Sequence, residues 1–245
     1  NNIWSLTIPT PFKANQEITI EQLTPPVFNE QSKVFNTPFN LKITHQQQSV
    51  KLDYWINDLA DKRKAENDVV DTLLDSTIVI CAKATKKGFL SSDVKCHTFI
   101  FKQDHSLPIL SVIGSQIDFF DEEKGLFQPG PNASNDWPFL GANFWEDEDT
   151  EVYFQYFNVP TDSLFYGHGD LEMHGGRESR TNPQKTFRLL AKNKYKQSFF
   201  NHSFFPIQPE ITEYKRLVVR NASGDFNAGH CRDGFLQNYL VSAGL

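Results

Sequence analysis

The sequence predicts an α+β chain in two parts. The first is an all-β sandwich over residues 1–106, and the second is a mixed region over 107–245 with an antiparallel sheet and a flanking helix. Three observations lead there. Short runs rich in β-branched and aromatic residues, punctuated by Pro, Gly and Lys-Gly clusters, fill the first part without a helical period. A polar break at Gln103-Asp104-His105-Ser106 precedes the apolar run 107–113, and the boundary is placed there. Only near the end does the period change: Phe235, Leu236, Tyr239 and Leu240 follow the i, i+1, i+4, i+5 spacing of one helix face.

Taken in order, 51–56 and 77–84 are strands, bounded by turns such as Thr24-Pro25-Pro26 and Lys86-Lys87-Gly88. The charged interval 58–71 reads as a solvated loop or a short surface helix. In the second part, 107–113 is a buried strand, and 152–157, 170–174, 185–190 and 216–220 are further strands. The Pro-, Gly- and Asn-rich stretch 128–143 is a loop. Asp225 or Asn227 supplies the polar residue that caps the terminal helix.

Composition narrows the function classes. With 245 residues, 39% hydrophobic and 22% charged, the chain has enough apolar material for a folded core. It holds 22 Phe and a single Met, so that core is built on rings rather than on flexible side chains. A net charge of −6 argues against bulk nucleic-acid binding. The longest apolar run, 77–84, is far shorter than the ~20 residues of a membrane helix. Asn1-Asn2-Ile3-Trp4 lacks the charged-then-apolar build of a signal peptide. Cys81, Cys96 and Cys231 show no CxxC spacing. Cys81 and Cys96 either pair across a sheet or stay as buried thiols, and the sequence leaves both open. Asn-x-Ser sequons at Asn132, Asn201 and Asn221 decide nothing by themselves.

The most informative stretch runs from Asp170 to Arg188. Strand alternation places Leu171 and Met173 on one face, with Asp170, Glu172 and His174 on the other. Beyond the connection, Lys185, Phe187 and Leu189 share a face opposite Thr186 and Arg188. The connection carries Gly175, Gly176, Arg177 and Arg180. Glycines allow the close backbone approach by which N–H groups surround a phosphate, and arginines add forked donors. Lys185, on an apolar face, is costly to bury without an anion. An ordinary hairpin with a basic tip is the competing reading, because neither GxxxxGK[ST] nor GxGxxG is present. A second segment, 217–227, leads through a Ser-Gly-Asp turn to Arg232, Asp233 and the helix, where an anion can sit at the helix start or an acid can pair with Lys185. The run Glu146-Asp147-Glu148-Asp149 reads as a solvated acidic loop, so no metal site is assigned.

At these residues the chain resembles the spore-coat CotH kinase family of divergent protein-kinase-like proteins. Leu107-Pro108-Ile109-Leu110-Ser111-Val112 with Phe120–Phe127, Asn143–Glu146 with 152–157, Met173-His174-Gly175-Gly176 through Pro183-Gln184-Lys185-Thr186-Phe187-Arg188, and Leu217–Asn221 through Gln237 follow the family's order. The resemblance implies an atypical kinase that moves the γ-phosphate of ATP to Ser of a protein substrate with Mg2+ or a similar ion. On that footing Lys185 is the phosphate-contacting, catalytic lysine. Gly175, Gly176, Arg177 and Arg180 form the loop over the phosphates, and Arg232 or Asp233 lies on the helix beside the cleft. The family supplies its catalytic and metal-binding aspartates beyond this helix, so 107–245 is expected to be the N-terminal part of the domain and inactive by itself.

Residues 27–101 more weakly resemble the chitobiase/β-hexosaminidase C-terminal-like sandwich, an immunoglobulin-like module found ahead of such kinases in bacterial surface proteins. Val79 to Ser92, with Thr98-Phe99, resembles its closing hairpin, although the usual Asp-Gly-Thr/Ser-x-Pro turn is replaced by Asn57-Asp58-Leu59. This implies a spacer or docking role and an extracellular or cell-surface location. The alternative to the enzyme is accordingly an adhesive or carbohydrate-binding surface module, with Trp4, Trp55, Trp137 and Trp145 as exposed aromatics.

Overall fold

The computed structural model describes residues 3–8, 16–102, 107–158 and 163–244. It is rich in β-sheet with few helices and divides into two units, Asn1–Leu107 and Pro108–Leu245. The polar break at 103–106 lies outside the described residues.

The first unit begins with a hairpin of β1 (Ile3–Ile8) and β2 (Gln16–Glu21). A three-stranded antiparallel sheet follows, ordered β3 (Val27–Phe28), β5 (Phe39–Thr44), β8 (Val70–Leu74). A five-stranded sheet is ordered β4 (Lys33–Phe35), β10 (Lys95–Phe101), β9 (Ile78–Thr85), β6 (Lys51–Ile56), β7 (Lys62–Lys64). Alternation explains the core. Phe28, Leu41, Ile43, Val70 and Leu74 from one sheet meet Phe35, Leu52, Ile80, Ala82, Ala84 and Phe99 from the other. The interval 58–71 is neither loop nor surface helix throughout: Lys62–Lys64 pairs with β6 as an edge strand, and Glu66–Asp68 forms a single 3-10 turn. An edge strand exposed on its free side needs no apolar alternation, so the hydrophobic pattern could not reveal it.

Two internal features lock this sandwich. Cys81 and Cys96 stand directly opposite each other on β9 and β10 and form a disulfide, with 15 residues of sequence separation. His97 is fully buried; its Nδ1 accepts hydrogen bonds from Ser32 N–H (3.1 Å) and Ser32 Oγ (2.9 Å), and its ring packs 4.5 Å from that of Phe28. An imidazole so placed is held neutral, because burial pushes its pKa down to about 4.

The second unit is built on an antiparallel five-stranded sheet in the order β11 (Ile109–Ile113), β12 (Asp149–Asn158), β13 (Ser163–Met173), β14 (Phe187–Leu190), β17 (Arg216–Val219). A two-residue pair, β15 (Phe200–Asn201) with β16 (Glu213–Tyr214), lies between β14 and β17 in sequence. One face buries Val152, Phe154, Leu171, Met173 and Leu189 against Phe119 of α1 (Gln116–Phe120), Phe144, Phe200 and Phe204. Strand β13 begins earlier than the apolar pattern indicates, because Gly167 and Gly169 interrupt it. A side chain at Gly167 would enter the Phe154 ring, so this glycine is what lets the two strands pack with a ring between them. The terminal helix α3 (Arg232–Ser242) is present, but it starts after residue 231 and Phe235, Leu236, Tyr239 and Leu240 remain exposed. No helix among the described residues is long and apolar enough to cross a membrane.

Two predictions follow from the sandwich. Below pH 6.5 the unfolded chain takes up a proton at His97 that the folded chain refuses until about pH 4, so stability falls across that window as pH drops. The loss attributable to this residue is roughly 3 kcal/mol; urea unfolding at pH 7 and pH 4.5 should show the drop shrinking in His97→Asn, which keeps an acceptor for Ser32. Replacing Cys81 and Cys96 together by Ala should cost about 3 kcal/mol, measured as a lower urea midpoint at fixed pH.

Candidate functional site

Strands β13 and β14 are joined by residues 174–186, and this connection holds most of the residues expected to contact phosphate. Leu171, Met173 and Leu189 face the core as alternation requires, while Glu172 and Arg188 stand opposite each other on the outer face and form an ion pair. The connection contains a short helix, α2 (Arg177–Thr181). Gly175 has φ +90°, and a Cβ there would come within 2.7 Å of Ser179, so only glycine fits. Gly176 has open space around its α-carbon.

Lys185 points under this loop. It is 9% exposed, and its Nζ donates to the carbonyls of Arg180 (2.9 Å) and Asn182 (3.3 Å). The same nitrogen lies 4.1 Å from the centre of the buried Phe144 ring, whose negative face attracts a cation. Among the described residues no carboxylate pairs with it. Burial lowers its pKa from the ordinary lysine value.

The other cations divide. Arg180 is turned inward: its guanidinium donates to the carbonyls of Gly175 (2.9 Å), Phe144 (2.9 Å) and Met173 (3.4 Å) and lies 5.5 Å from the Trp145 ring centre. Arg180 therefore holds the loop closed on the core. Arg177 is exposed and stacks 5.6 Å above Trp137, whose indole N–H donates to Thr181 Oγ1 at 3.3 Å. Arg232 and Asp233 do not meet Lys185. Asp233 pairs with Arg220 at 2.6 Å, and Arg232 with Asp225 at 3.0 Å. Asp225 also accepts the backbone N–H groups of Arg232 (3.2 Å) and Gly229 (3.3 Å). The bond from Arg232 N–H, with the nearby cations, holds its carboxyl below the usual range. The start of α3 is thus capped by the chain's own carboxylate, at a distance of several residues, rather than left open for an anion.

Asn221 organises the loop, a role its place after the strand 216–220 did not by itself assign to it. It is 3% exposed. Its Oδ1 accepts from Thr186 Oγ1 (2.8 Å) and Ser223 N–H (2.9 Å), and its Nδ2 donates to the carbonyls of Gln184, Glu178 and Ser179. One amide side chain thereby ties the middle and the far end of the loop to the end of β17. The one available signal was a polar amide directly after the apolar run Leu217-Val218-Val219.

On the opposite face of the sheet, Asp170 is fully buried. Burial pushes its carboxyl up, but hydrogen bonds from Lys194 and Tyr195 and the charge of Lys192 outweigh this and hold it low. His168 stacks between Tyr153 and Tyr195 and hydrogen-bonds Glu151 at 2.8 Å. Glu146, Asp147 and Glu148 are exposed, and Asp149 pairs with Lys192. No group of three or more His, Cys, Asp or Glu among the described residues is placed to hold a metal. Of the four tryptophans, Trp137 is exposed and Trp55 and Trp145 are half-buried, while the side chain of Trp4 lies outside the description.

No protein-family model, curated protein or solved structure matches the chain.

The glycines of the loop are separable by substitution. Gly175→Ala forces a side chain onto Ser179 at positive φ and should lower stability by about 1–3 kcal/mol. Gly176→Ala should stay within about 0.5 kcal/mol of the parent, because nothing crowds that position. Thermal midpoints of the two variants check both.

Proposed function

We propose that the second unit carries the nucleotide-binding part of an atypical protein kinase of the CotH type, which passes the γ-phosphate of ATP to Ser of a protein substrate. The observation that supports this reading most directly is the buried ammonium of Lys185 beneath a glycine-containing loop, without a counter-charge among the described residues. Two carbonyl dipoles and a ring face compensate a full charge less well than an anion does. A phosphate entering under the loop exchanges the carbonyls of Arg180 and Asn182 for charged oxygens, while Arg177 is exposed to meet it from outside. In the transfer, the bond from the γ-phosphorus to the bridging oxygen breaks to release ADP. A bond to the serine oxygen forms, and the serine proton passes to a base not assigned to any described residue.

The divalent ion is a different matter. No described carboxylate set suits it, so no step is derived through Mg2+. The first unit, with sheets of three and five strands around one core, supports the reading of an immunoglobulin-like, chitobiase-type appendage. Its disulfide supports a location outside the reducing cytoplasm.

Titration of the chain with a fluorescent ATP analogue tests the nucleotide reading. Saturable binding is expected, weakened about tenfold or more in Lys185→Ala through loss of a charge-assisted contact. Thermal melting establishes that the variant is folded. Binding by Lys185→Ala equal to that of the parent, or no binding by the folded parent, removes the proposal.

A further inference from the structure

The outer face of the five-stranded sheet in the first unit concentrates positive charge on a chain whose total is −6. Strand register places Lys64, Asp53 and Lys83 in one cross-strand row and Lys62, Trp55 and Cys81 in the next. The alternate residues Leu52, Tyr54, Ile56, Ile80, Ala82 and Ala84 line the core, so the row residues face away from it. Lys51 extends the same face, opposite Thr85. Two of the lysines have acidic partners: Lys51 lies 2.9 Å from Asp68 and Lys62 lies 3.7 Å from Asp53. Lys64 and Lys83 pair with no carboxylate among the described residues. Four lysines against two aspartates leave the patch at net +2.

Protection of a sheet edge explains part of this pattern. Lysines on an edge strand discourage pairing with other chains, and β7 is an edge. Lys83 is not covered by that explanation, because β9 is the central strand of the sheet. Asp53 stands between Lys64 and Lys83 across the strands, and with Asp68 it offsets two of the four ammonium groups, so the patch keeps an excess of two. That excess suits an anionic partner. Rows lie ~7 Å apart along a strand and neighbouring strands ~4.8 Å apart, which fixes the spacing of the lysine stems on the backbone. Trp55 sits in one of these rows, half-buried, with an indole able to pack against the C–H face of a sugar ring.

We propose that this face binds an anionic polysaccharide, with Lys64 and Lys83 contacting its acidic groups and Trp55 packing against a sugar ring. The surface belongs to the first unit and is independent of the nucleotide reading for the second. An extended chain of repeating charges can meet lysines spread over successive rows of the sheet, where a small ligand meets one. Nucleic acid is disfavoured by the overall negative charge of the chain and by a disulfide next to the patch.

Affinity electrophoresis of the whole chain in gels containing polygalacturonate, heparin or neutral dextran tests the proposal. Retardation is expected with an anionic polymer and absent with dextran, and it should fall about tenfold or more in affinity as salt rises from ~50 to ~200 mM. The double variant K64E/K83E should run as in a plain gel, and W55A should bind more weakly than the parent at constant charge. K64Q/K83Q, with a thermal midpoint matching the parent, decides the matter if charge reversal disturbs folding. Retardation by dextran equal to that by the anionic polymers overturns the proposal. So does unchanged binding by folded K64Q/K83Q, or binding of single-stranded DNA or anionic lipid vesicles with neither polysaccharide bound.

Discussion

A lysine ammonium taken out of water, with no carboxylate paired to it among the described residues, is the constraint around which the second unit's loop is arranged. Desolvating such a charge costs several kcal/mol unless strong dipoles surround it. Here the carbonyls of Arg180 and Asn182 and the ring of Phe144 take that part. Those carbonyls are available only because the loop is folded back, and the loop stays folded because Arg180 ties it to Phe144 and Asn221 ties it to the end of β17. Lys185 is therefore held by the loop and also holds it. Any anion reaching the ammonium competes with the loop's own backbone, which couples ligand binding to loop position.

The two units solve the same packing problem with different closures. In the sandwich, two sheets bury one shared core, and a disulfide and a buried neutral imidazole are set within the strands. In the second unit the five-stranded antiparallel sheet is covered by phenylalanines from short helices and the β15–β16 pair, including Phe119, Phe144 and Phe200. The abundance of Phe over Met suits both, since rings in fixed edge-to-face contacts define one packing where flexible side chains would allow several. The loop at the end of β13 and β14 and the outer face beside β7 both lie outside these cores.

Much of the strand content was legible from pattern. Residues 51–56, 170–173 and 187–190 alternate cleanly because each has one face on a core, and the inward positions of Leu171, Met173 and Leu189 follow from that alternation. The edge strand Lys62–Lys64 was not legible, since its side chains carry no apolar signal and its pairing is set by β6. The early part of β13 was hidden by Gly167 and Gly169, whose role depends on the ring of Phe154 across the strand pair. The acid at the start of the terminal helix does not pair with Lys185, because Arg220 holds Asp233 instead.

Sequence alone determined which residues are apolar on alternate positions, where the turns fall, and that a lysine with flanking glycines and arginines shares one hairpin. These are local properties, carried by period and backbone preference within a few residues. Tertiary structure decided what each polar group meets: that Lys185 turns inward, that Arg180 holds backbone, that Asn221 ties the loop, and that Lys64 and Lys83 flank one aspartate. Such partnerships join residues dozens of positions apart, and their energies depend on burial and distance, which no local pattern encodes.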